Sequence, residues 1–462
     1  MNKSLITLFC GAGGLDLGFH LRKNVTLQFA NEILEKPALS YSKNFNLPLI
    51  TIEEFNGKYP SVVKGDVQKF DFSTLENNET DIVVGGPPCQ DFSVLRGKSK
   101  RQGITVQRGK LYSHFVRALV HIQPKVFVFE NVPGLLTANQ GEAYKIIQND
   151  FKDMSLRWKE VKNLVDNRNH LKIEGYEILF SSVINLTDLG VPQARKRIII
   201  AGVRKDLVQN VGDLFQMKTE VEKILKGTDS MFPKYPLTPM EVIEGETLDN
   251  LENLYLDVMK SYSNIWKDLK SDKAKKWEKN HWKKLEFNIY SDYKFLNKII
   301  KFSEEEFETA LKQHKKVLKM LGYYKKPLDE MQFEDGSNDR PNEQERVVER
   351  MKRIPPGANY QIVQNTEWQV KGLMSGVYRR IHPLIPSPTV IAYGGGGTWG
   401  YHYKRERAVM TNRERARLQT FPDWYLFEGS RQEVRAQIGE AVPPLASYKI
   451  AIAVENVMKL LK

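Results

Sequence analysis

The chain has 462 residues, 41% of them hydrophobic and 27% charged, which is typical of a globular protein with two or three domains. No apolar run is long enough to span a membrane, and no signal peptide precedes the first strand-like run. Two cysteines exclude a disulfide framework and fit a reducing cytosol, and no Cys/His spacing indicates a metal site. The net charge of +13 favours a polyanionic partner, although a generic basic protein carries the same charge.

The first strand-like run leads into a glycine-rich turn. Residues 4–9 read SLITLF, which predicts a strand, and residues 10–19 read CGAGGLDLGF. A strand, a glycine turn and a helix together form the geometry in which backbone N–H groups face a bound nucleotide. The spacing differs from the dinucleotide fingerprint G-x-G-x-x-G, so the turn alone is a weak signal.

Two carboxylates follow strand-like runs. Glu32 closes the second run, residues 25–30, where an acidic residue is placed to bind both hydroxyls of a ribose. Asp66 follows another apolar run and could accept from an adenine amino group. Each acid alone is as readily a solvated loop residue. Together with the glycine turn they favour a cofactor that contains adenosine.

A stiff loop follows the apolar run at residues 81–84. Residues 85–93 read GGPPCQDFS, with Cys89 at the tip. The glycines allow a sharp exit from the strand and the prolines stiffen the loop, which is where an α/β protein places a reactive group. The alternative is a Gly-Pro turn with an incidental thiol. Residues 95–107 are polar and basic, and they predict a loop that closes over a substrate.

Three further charged residues are expected near this loop. Glu130 ends the strand-like run at residues 125–129, so it shares a sheet edge with Cys89. A partly buried carboxyl there could stay protonated and donate to a ring nitrogen. Arg195 and Arg197 are two residues apart and share a face if the segment is extended. The alternative is a basic segment that binds phosphates or nothing.

Strands alternate with helices as far as residue 203, which predicts an α/β fold with a doubly wound, mostly parallel sheet. Residues 204–376 lose this rhythm, and residues 261–326 are rich in lysine and aromatic residues. That stretch predicts either a helical insertion facing a nucleic-acid backbone or, more commonly, amphipathic helices with a solvated cationic face. Residues 377–462 return to a folded core, with a capped helix at Thr411 and a final apolar helix expected to pack on the sheet.

The ordered motifs of the chain resemble those of the DNA cytosine-5 methyltransferases. They are FCGAGGLDLGF, GGPPCQDFS, ENV, QARKR, RERARLQTFPDWY and QIGEAVPP, and they cover about residues 5–203 and 377–461. The resemblance implies an S-adenosylmethionine-dependent methyltransferase fold. Residues 1–203 would then form the catalytic and cofactor-binding domain, 204–376 a smaller target-recognition domain, and 377–462 a return segment that completes the catalytic domain.

The same resemblance implies the reaction. A methyl group passes from S-adenosylmethionine to carbon 5 of a cytosine that is flipped out of a specific double-stranded DNA sequence. Cys89 matches the nucleophile that adds to carbon 6. Glu130 matches the carboxyl that protonates ring nitrogen 3. Arg195 and Arg197 match the pair that orients the base and the glutamate.

Further residues take roles by the same match. The implied cofactor contacts are Phe9, Gly11, Gly13, Leu15, Glu32, Asp66, Pro88, Leu111 and Glu440. The implied DNA contacts are Gln90, Ser93 and Arg96 in the closing loop, and Arg353, Gln361, Gln364, Trp368 and Lys371 beside the recognition loops. Glu440 is a departure, because the family usually has asparagine there. Cys10 falls in the cofactor turn and is predicted to be structural.

The resemblance also implies a role in a restriction–modification system, with an endonuclease that acts on the same site without direct contact. We expect a cytoplasmic monomer that binds no membrane. A tRNA cytosine-5 methyltransferase is the first alternative, and the large middle region argues against it. A non-catalytic DNA-binding regulator is the second, and the intact catalytic set argues against it. The glycine spacing disfavours a nicotinamide oxidoreductase.

Overall fold

The structure is a computed structural model that describes residues 2–57, 60–75, 79–88, 111–154, 173–370, 376–394, 397–398 and 400–461. The chain divides into two compact units. The first comprises Met1–Leu186, Lys196–Asp229 and Ala441–Lys462, and the second comprises Thr187–Arg195 and Ser230–Glu440.

Ten strands are described. They are β1 (Lys3–Leu8), β2 (Val25–Glu32), β3 (Leu49–Thr51), β4 (Ser61–Lys64), β5 (Ile82–Gly85), β6 (Val126–Asn131), β7 (Tyr176–Asn185), β8 (Gln193–Ala194), β9 (Lys196–Arg204) and β10 (Ser387–Pro388).

The α-helices in the described residues alternate with these strands and then dominate the second unit. They are α1 (Gly14–His20), α2 (Glu35–Phe45), α3 (Tyr112–Ile122), α4 (Glu142–Asp153), α5 (Val211–Leu225), α6 (Pro239–Glu244), α7 (Glu252–Lys260), α8 (Asp272–Asn280), α9 (Ile289–Leu296), α10 (Glu304–Met320), α11 (Glu345–Met351), α12 (Asn412–Leu418), α13 (Arg431–Glu440) and α14 (Pro444–Leu460).

The first unit is built on one sheet with the order β3-β4-β2-β1-β5-β6-β9-β7. The strands from β3 to β6 pair in parallel, whereas β9 pairs antiparallel with both β6 and β7. This confirms the predicted α/β fold with a mostly parallel, doubly wound sheet. Strand β1 lies between β2 and β5, so the sheet extends from β1 on both sides and the strand order reverses there. The carboxyl ends of the strands beside such a switch point form the crevice where α/β proteins bind ligands.

Aromatic side chains fill the space beside the sheet. Phe115 of α3, Phe127 and Phe129 of β6, and Phe151 of α4 are all fully buried. Their ring centroids lie 4.6 to 6.2 Å apart in tilted and edge-to-face pairs. Burial of this apolar surface fixes α3 and α4 against β6, whose end carries Glu130.

The final helix packs back onto the first unit. Helix α14 lies against α1 and α5. The approach to α1 is close, because a Cβ atom on Gly18 would lie 2.3 Å from the carbonyl carbon of Ser447. Arg22 and Glu455 add an ion pair of 2.8 Å. Packing of α14 therefore supports the helix that follows the glycine turn.

The second unit is mainly helical and includes α12, which the sequence placed in the return segment. Thr411 and Glu414 form the predicted capping box at its start. Arg417 of α12 donates to the backbone carbonyls of Val242 and Ile243 at 2.9 and 3.1 Å. These bonds tie α12 to α6, and both helices belong to the second unit.

Within the described residues, no helix combines the length and the apolar character needed to cross a membrane.

Candidate active site

The turn after β1 adopts backbone conformations that most residues avoid. Phe9, Gly11 and Gly13 have φ angles of 56°, 54° and 74°. Glycine enters this left-handed region freely, whereas a phenylalanine there is uncommon and such residues concentrate at functional sites. A Cβ atom on Gly11 would meet nothing within 4 Å. The turn therefore presents backbone to open space at the start of α1, as the sequence predicts for a ligand cradle.

The other side of the same turn is tightly packed. A Cβ atom on Gly13 would lie 2.6 Å from a ring atom of Phe45. Leu15 and Cys10 are buried, with 6% and 8% exposure. Burial, followed by the charges of Glu32 and Asp16, raises the pKa of the Cys10 thiol well above its ordinary value. A thiol in this state is a poor nucleophile, in agreement with a structural role for Cys10.

Glu32 at the end of β2 is bonded to the turn. Its Oε2 accepts from the backbone N–H of Gly11 at 2.8 Å, and its Oε1 accepts from the N–H of Leu34 at 2.9 Å. Ile33 and Leu34 follow, with 59% and 50% exposure. A carboxylate beside exposed apolar side chains suits a ligand that has both hydroxyl groups and a flat apolar ring.

Asp66, Pro88 and Leu111 lie at the carboxyl edge or next to it. Asp66 follows β4 and accepts from the N–H of Gln68 at 3.0 Å, which caps the short 3-10 helix Val67–Lys69. Pro88 is exposed and Leu111 is half-buried just before α3.

Glu130 and Arg197 form an ion pair at the same edge. Arg197 Nε lies 2.8 Å from Glu130 Oε1. The antiparallel register pairs Glu130 with Ile199, so Arg197, two residues earlier on β9, lies on the same face of the sheet. Both side chains are largely buried, with 12% exposure for Glu130 and 14% for Arg197.

The pair also lies against the start of the loop that leads to Cys89. A Cβ atom on Gly86 would be 2.9 Å from Glu130 Oε2, and the next residue, Asn131, donates from Nδ2 to the carbonyl of Pro87 at 3.4 Å. Only glycine therefore lets the loop pass this close to the carboxyl. The end of β6 therefore fixes the loop backbone at Gly86 and Pro87, three and two residues before Cys89.

Arg195 belongs to the second unit and makes different contacts. It is fully buried, and its guanidinium donates to the backbone carbonyls of Val390 and Gly439 at 3.1 and 2.9 Å. Glu440 follows Gly439. Desolvation raises the pKa of the Glu440 carboxyl, while a hydrogen bond with Tyr393 and the charge of Arg195 act in the opposite direction.

The predicted DNA-contacting residues that are described gather around one loop of the second unit. Arg346 and Arg350 of α11 and Arg353 just after it hold this loop, which we call the clamped loop (residues 364–370). Arg346 Nη2 donates to the carbonyl of Glu367 at 3.4 Å. Arg350 Nε donates to the carbonyl of Trp368 at 2.8 Å, and the Arg353 guanidinium lies 4.2 Å from the Trp368 ring. Gln364 Nε2 donates to the carbonyl of Val370 at 3.1 Å. Gln361 lies just before the loop in the 3-10 helix Tyr360–Val363.

Several predicted residues lie outside the described ranges. They are Cys89, Gln90, Ser93, Arg96 and Lys371.

Sequence reasoning missed some residues of these sites. Ile33 and Leu34 are exposed apolar residues directly after an acidic strand end, a signal that was available. Asn365, Glu367 and Gln369 carry the exposed side chains of the clamped loop. No local pattern marks them, because their exposure depends on the arginines that hold the loop.

Comparison with known proteins agrees with this geometry. Residues 4–456 match the model of the family described as C-5 cytosine-specific DNA methylase. The chain belongs to this family. It is accordingly a DNA (cytosine-5-)-methyltransferase, as the motif series predicted.

Two relatives are similar over nearly the whole chain. The DNA (cytosine-5-)-methyltransferase M.ApeKI of Aeropyrum pernix is 49% identical, with 98% of each chain covered. The type II methyltransferase M.NgoFVII of Neisseria gonorrhoeae is 32% identical over 97% of this chain and 85% of its own.

A solved structure shares the fold. It is a crystal structure titled as a DNA modification methyltransferase encoded within an E. coli prophage. It has a TM-score of 0.55 and 21% identity, and covers 99% of this chain and 100% of its own.

Proposed function

We propose that this methyltransferase transfers a methyl group from S-adenosylmethionine to carbon 5 of a cytosine flipped out of a specific double-stranded DNA sequence, through a covalent adduct with Cys89. The observation that carries the proposal is the Glu130–Arg197 pair of 2.8 Å at the carboxyl edge of the sheet. Its carboxyl faces Gly86, three residues before the only cysteine on that loop. An acid and a thiol converging on one ring are what cytosine activation requires.

The turn after β1 fits the proposed cofactor. The space in front of Gly11 is open, Glu32 offers a carboxylate fixed by two backbone N–H groups, and Ile33 and Leu34 offer apolar surface. Phe9, Gly13, Leu15, Asp66, Pro88, Leu111 and Glu440 complete the proposed cofactor set. When bound, S-adenosylmethionine would supply the methyl group as an electrophile, with its S–CH3 bond broken and S-adenosylhomocysteine as the leaving group.

The ring of cytosine is a poor nucleophile at carbon 5, so the protein must first add electrons to it. The Cys89 thiolate attacks carbon 6 and forms a C–S bond, while Glu130 donates a proton to nitrogen 3. Carbon 5 becomes enamine-like and takes the methyl group. A base then removes the carbon 5 proton, the C–S bond breaks, and nitrogen 3 returns its proton.

The arginines have separate proposed tasks. Arg197 holds the Glu130 carboxyl at a fixed angle through their ion pair, and it is placed to contact the base as well. Arg195 acts on the base only through the second unit, because its guanidinium is bonded to the carbonyls of Val390 and Gly439.

The target cytosine must leave the helix, because stacking shields carbon 6 within a duplex. Flipping costs a few kcal/mol, which contacts with the closing loop at Gln90, Ser93 and Arg96 would offset. We assign sequence readout to the second unit. The base- and phosphate-contacting set is the clamped loop, which includes Gln364 and Trp368, together with its neighbours Arg353, Gln361 and Lys371.

The biological role is proposed by analogy with the relatives. M.NgoFVII is named as a type II methyltransferase. We therefore propose that this chain, as a cytoplasmic monomer, protects host DNA against an endonuclease that cuts the same sequence.

The test is methyl transfer from labelled S-adenosylmethionine to mixed genomic DNA and to bulk tRNA, with Cys89→Ser alongside. We expect label in DNA, its loss in Cys89→Ser, and retained cofactor binding by that variant. Mapping the methylated cytosines then gives the recognition sequence.

Other outcomes would change the assignment. Label in tRNA alone would replace DNA as the substrate. A folded wild-type chain that binds cofactor and labels neither would leave a non-catalytic DNA-binding role. Equal activity in Cys89→Ser would reject the covalent step.

A further inference from the structure

We infer that Lys315, Lys319 and Lys325, gathered around Tyr324 in the second unit, form a contact for the phosphate backbone of DNA. We call these four residues the Tyr324 cluster. The inference rests on the proposed function, since it takes duplex DNA as the substrate. It assigns one particular surface within the lysine- and aromatic-rich stretch at residues 261–326, on a different part of the second unit's sequence from the clamped loop.

Three ammonium groups converge on one aromatic ring. The Nζ atoms of Lys315, Lys319 and Lys325 lie 5.0, 5.2 and 5.8 Å from the centroid of Tyr324. Helix α10 supplies Lys315 and Lys319 one turn apart, and Lys325 comes from the turn that follows. Each ammonium group is attracted to the negative face of the ring. The negative end of the helix dipole attracts the ammonium groups near the end of α10 as well.

These attractions leave the charge of the cluster largely uncompensated. Among the described residues, no carboxylate lies within 4 Å of any of the three ammonium groups. Asp249 and Glu246 act on Lys315 only as more distant charges. Other lysines of the second unit are paired directly, as Lys352 is with Glu349 at 2.8 Å. The Tyr324 cluster therefore offers three like charges to an external anion.

The cluster stands on a rigid support. The hydroxyl of the buried Tyr323 donates to the carbonyl of Phe421 at 2.5 Å, and the N–H of Lys325 donates to the carbonyl of Gly245 at 2.8 Å. A Cβ atom on Gly245 would lie 2.3 Å from the carbonyl oxygen of Tyr323. The turn thus has a fixed backbone, so an anion that binds it orders only the lysine side chains.

A DNA backbone fits this surface better than a single anion does. Lysine ammonium groups act as point charges and do not grip one phosphate in a fixed fork as arginine does. Three ammonium groups spread around one ring suit a ligand whose negative charges are closely spaced. Duplex DNA carries one negative charge per roughly 1.7 Å of its axis. Lys312, Lys316 and Lys326 flank the cluster in the sequence and are exposed.

The experiment measures binding of a fluorescent 30-base-pair duplex of arbitrary sequence between 50 and 200 mM NaCl. The test variant is Lys315→Gln/Lys319→Gln/Lys325→Gln. The control is Lys145→Gln/Lys152→Gln/Lys459→Gln, which removes the same net charge from exposed lysines of the first unit. Each lost phosphate contact should make the slope of log K against log salt less negative by about 0.9. We expect a change of about 2–3 for the test variant and under about 0.5 for the control.

The outcomes separate this inference from the proposed function. If the test variant and the wild type have equal slopes and the wild type methylates genomic DNA, the inference about the Tyr324 cluster is wrong and the proposed function stands. Equal changes in test and control variants would also overturn it, since net charge alone would then explain the effect. A wild-type chain that binds no duplex would reject both. Unchanged thermal unfolding and cofactor affinity of the test variant show that the loss is local.

Discussion

The backbone N–H of Gly11 donates to Oε2 of Glu32 at 2.8 Å, so the carboxylate at the end of β2 fixes the turn that follows β1. The other oxygen of Glu32 accepts from the N–H of Leu34 at 2.9 Å. One side chain therefore sets the position of two backbone segments that border the same open space. Cofactor binding should therefore depend on the charge of the side chain at position 32 as well as on the size of that side chain.

Replacing Glu32 by glutamine should weaken S-adenosylmethionine binding by about 10- to 100-fold, because hydrogen bonds to a charged group contribute about 1.5–3 kcal/mol. The amide keeps the size of the side chain but has one acceptor oxygen for two backbone donors. Isothermal titration calorimetry measures the change. Glu35→Gln, on an exposed residue at the start of α2, is the matched control. An unchanged Kd for Glu32→Gln would remove Glu32 from the site.

Replacing Glu130 by glutamine should lower kcat by about 10²- to 10⁴-fold, the usual contribution of a general acid. The amide retains a polar contact with Arg197 but has no acidic proton to give to nitrogen 3. The cofactor Kd should stay within about twofold, since Glu130 is proposed to act on the base alone. Single-turnover methyl transfer to genomic DNA measures the effect. Full activity in Glu130→Gln would exclude proton donation by this residue.

The sequence predicted those parts of the site that depend on one strand and its end. Glu32 and Glu130 are acidic residues at the ends of apolar runs, and parallel pairing brings such ends to one edge. It did not predict the separate surroundings of Arg195 and Arg197. The spacing of two suggested one shared face, yet Arg195 lies between β8 and β9 and bonds to carbonyls 195 and 244 residues away.

The same limit applies to α12. Its capping box was readable at Thr411 and Glu414, because both partners lie within one turn of the helix. The sequence did not show that α12 packs in the second unit, because Arg417 bonds to carbonyls 174 and 175 residues earlier in the chain. Local patterns reveal where elements begin, whereas buried arginines with distant acceptors decide which elements pack together.

Replacing Gly18 by alanine should destabilise the first unit by about 1–3 kcal/mol, the usual cost of overpacking. The new methyl group would meet the backbone of Ser447 and Tyr448 at 2.3 Å, and a backbone contact cannot move aside as a flexible side chain can. Urea denaturation measures the loss. Gly376→Ala is the control, because a Cβ atom there meets nothing within 4 Å. Equal stabilities of the two variants would show that α14 does not pack against α1 this closely.

The pH dependence of stability should depend on Asp16 in the first turn of α1. Its carboxyl is fully buried, and among the described residues neither oxygen has a hydrogen-bond partner of ordinary geometry. Burial raises the pKa of Asp16 to about 8, with a weaker interaction with Thr7 opposing the shift. The folded chain therefore keeps a proton that the unfolded chain releases near pH 4.

Because the folded pKa is the higher one, the stabilisation from this proton is complete below about pH 4 and is lost as the pH rises to about 8. The free energy of unfolding of the wild type should therefore fall by up to about 1.4 kcal/mol per pH unit over that window. Asp16→Asn has no proton that titrates at this position, so its free energy of unfolding should not show this fall. Urea denaturation at pH 5, 6, 7 and 8 compares wild type with Asp16→Asn. Glu142→Gln, on an exposed acid in the first turn of α4, should follow wild type. Parallel pH profiles for wild type and Asp16→Asn would mean that Asp16 is already ionised in the folded chain, with a compensating partner beside it.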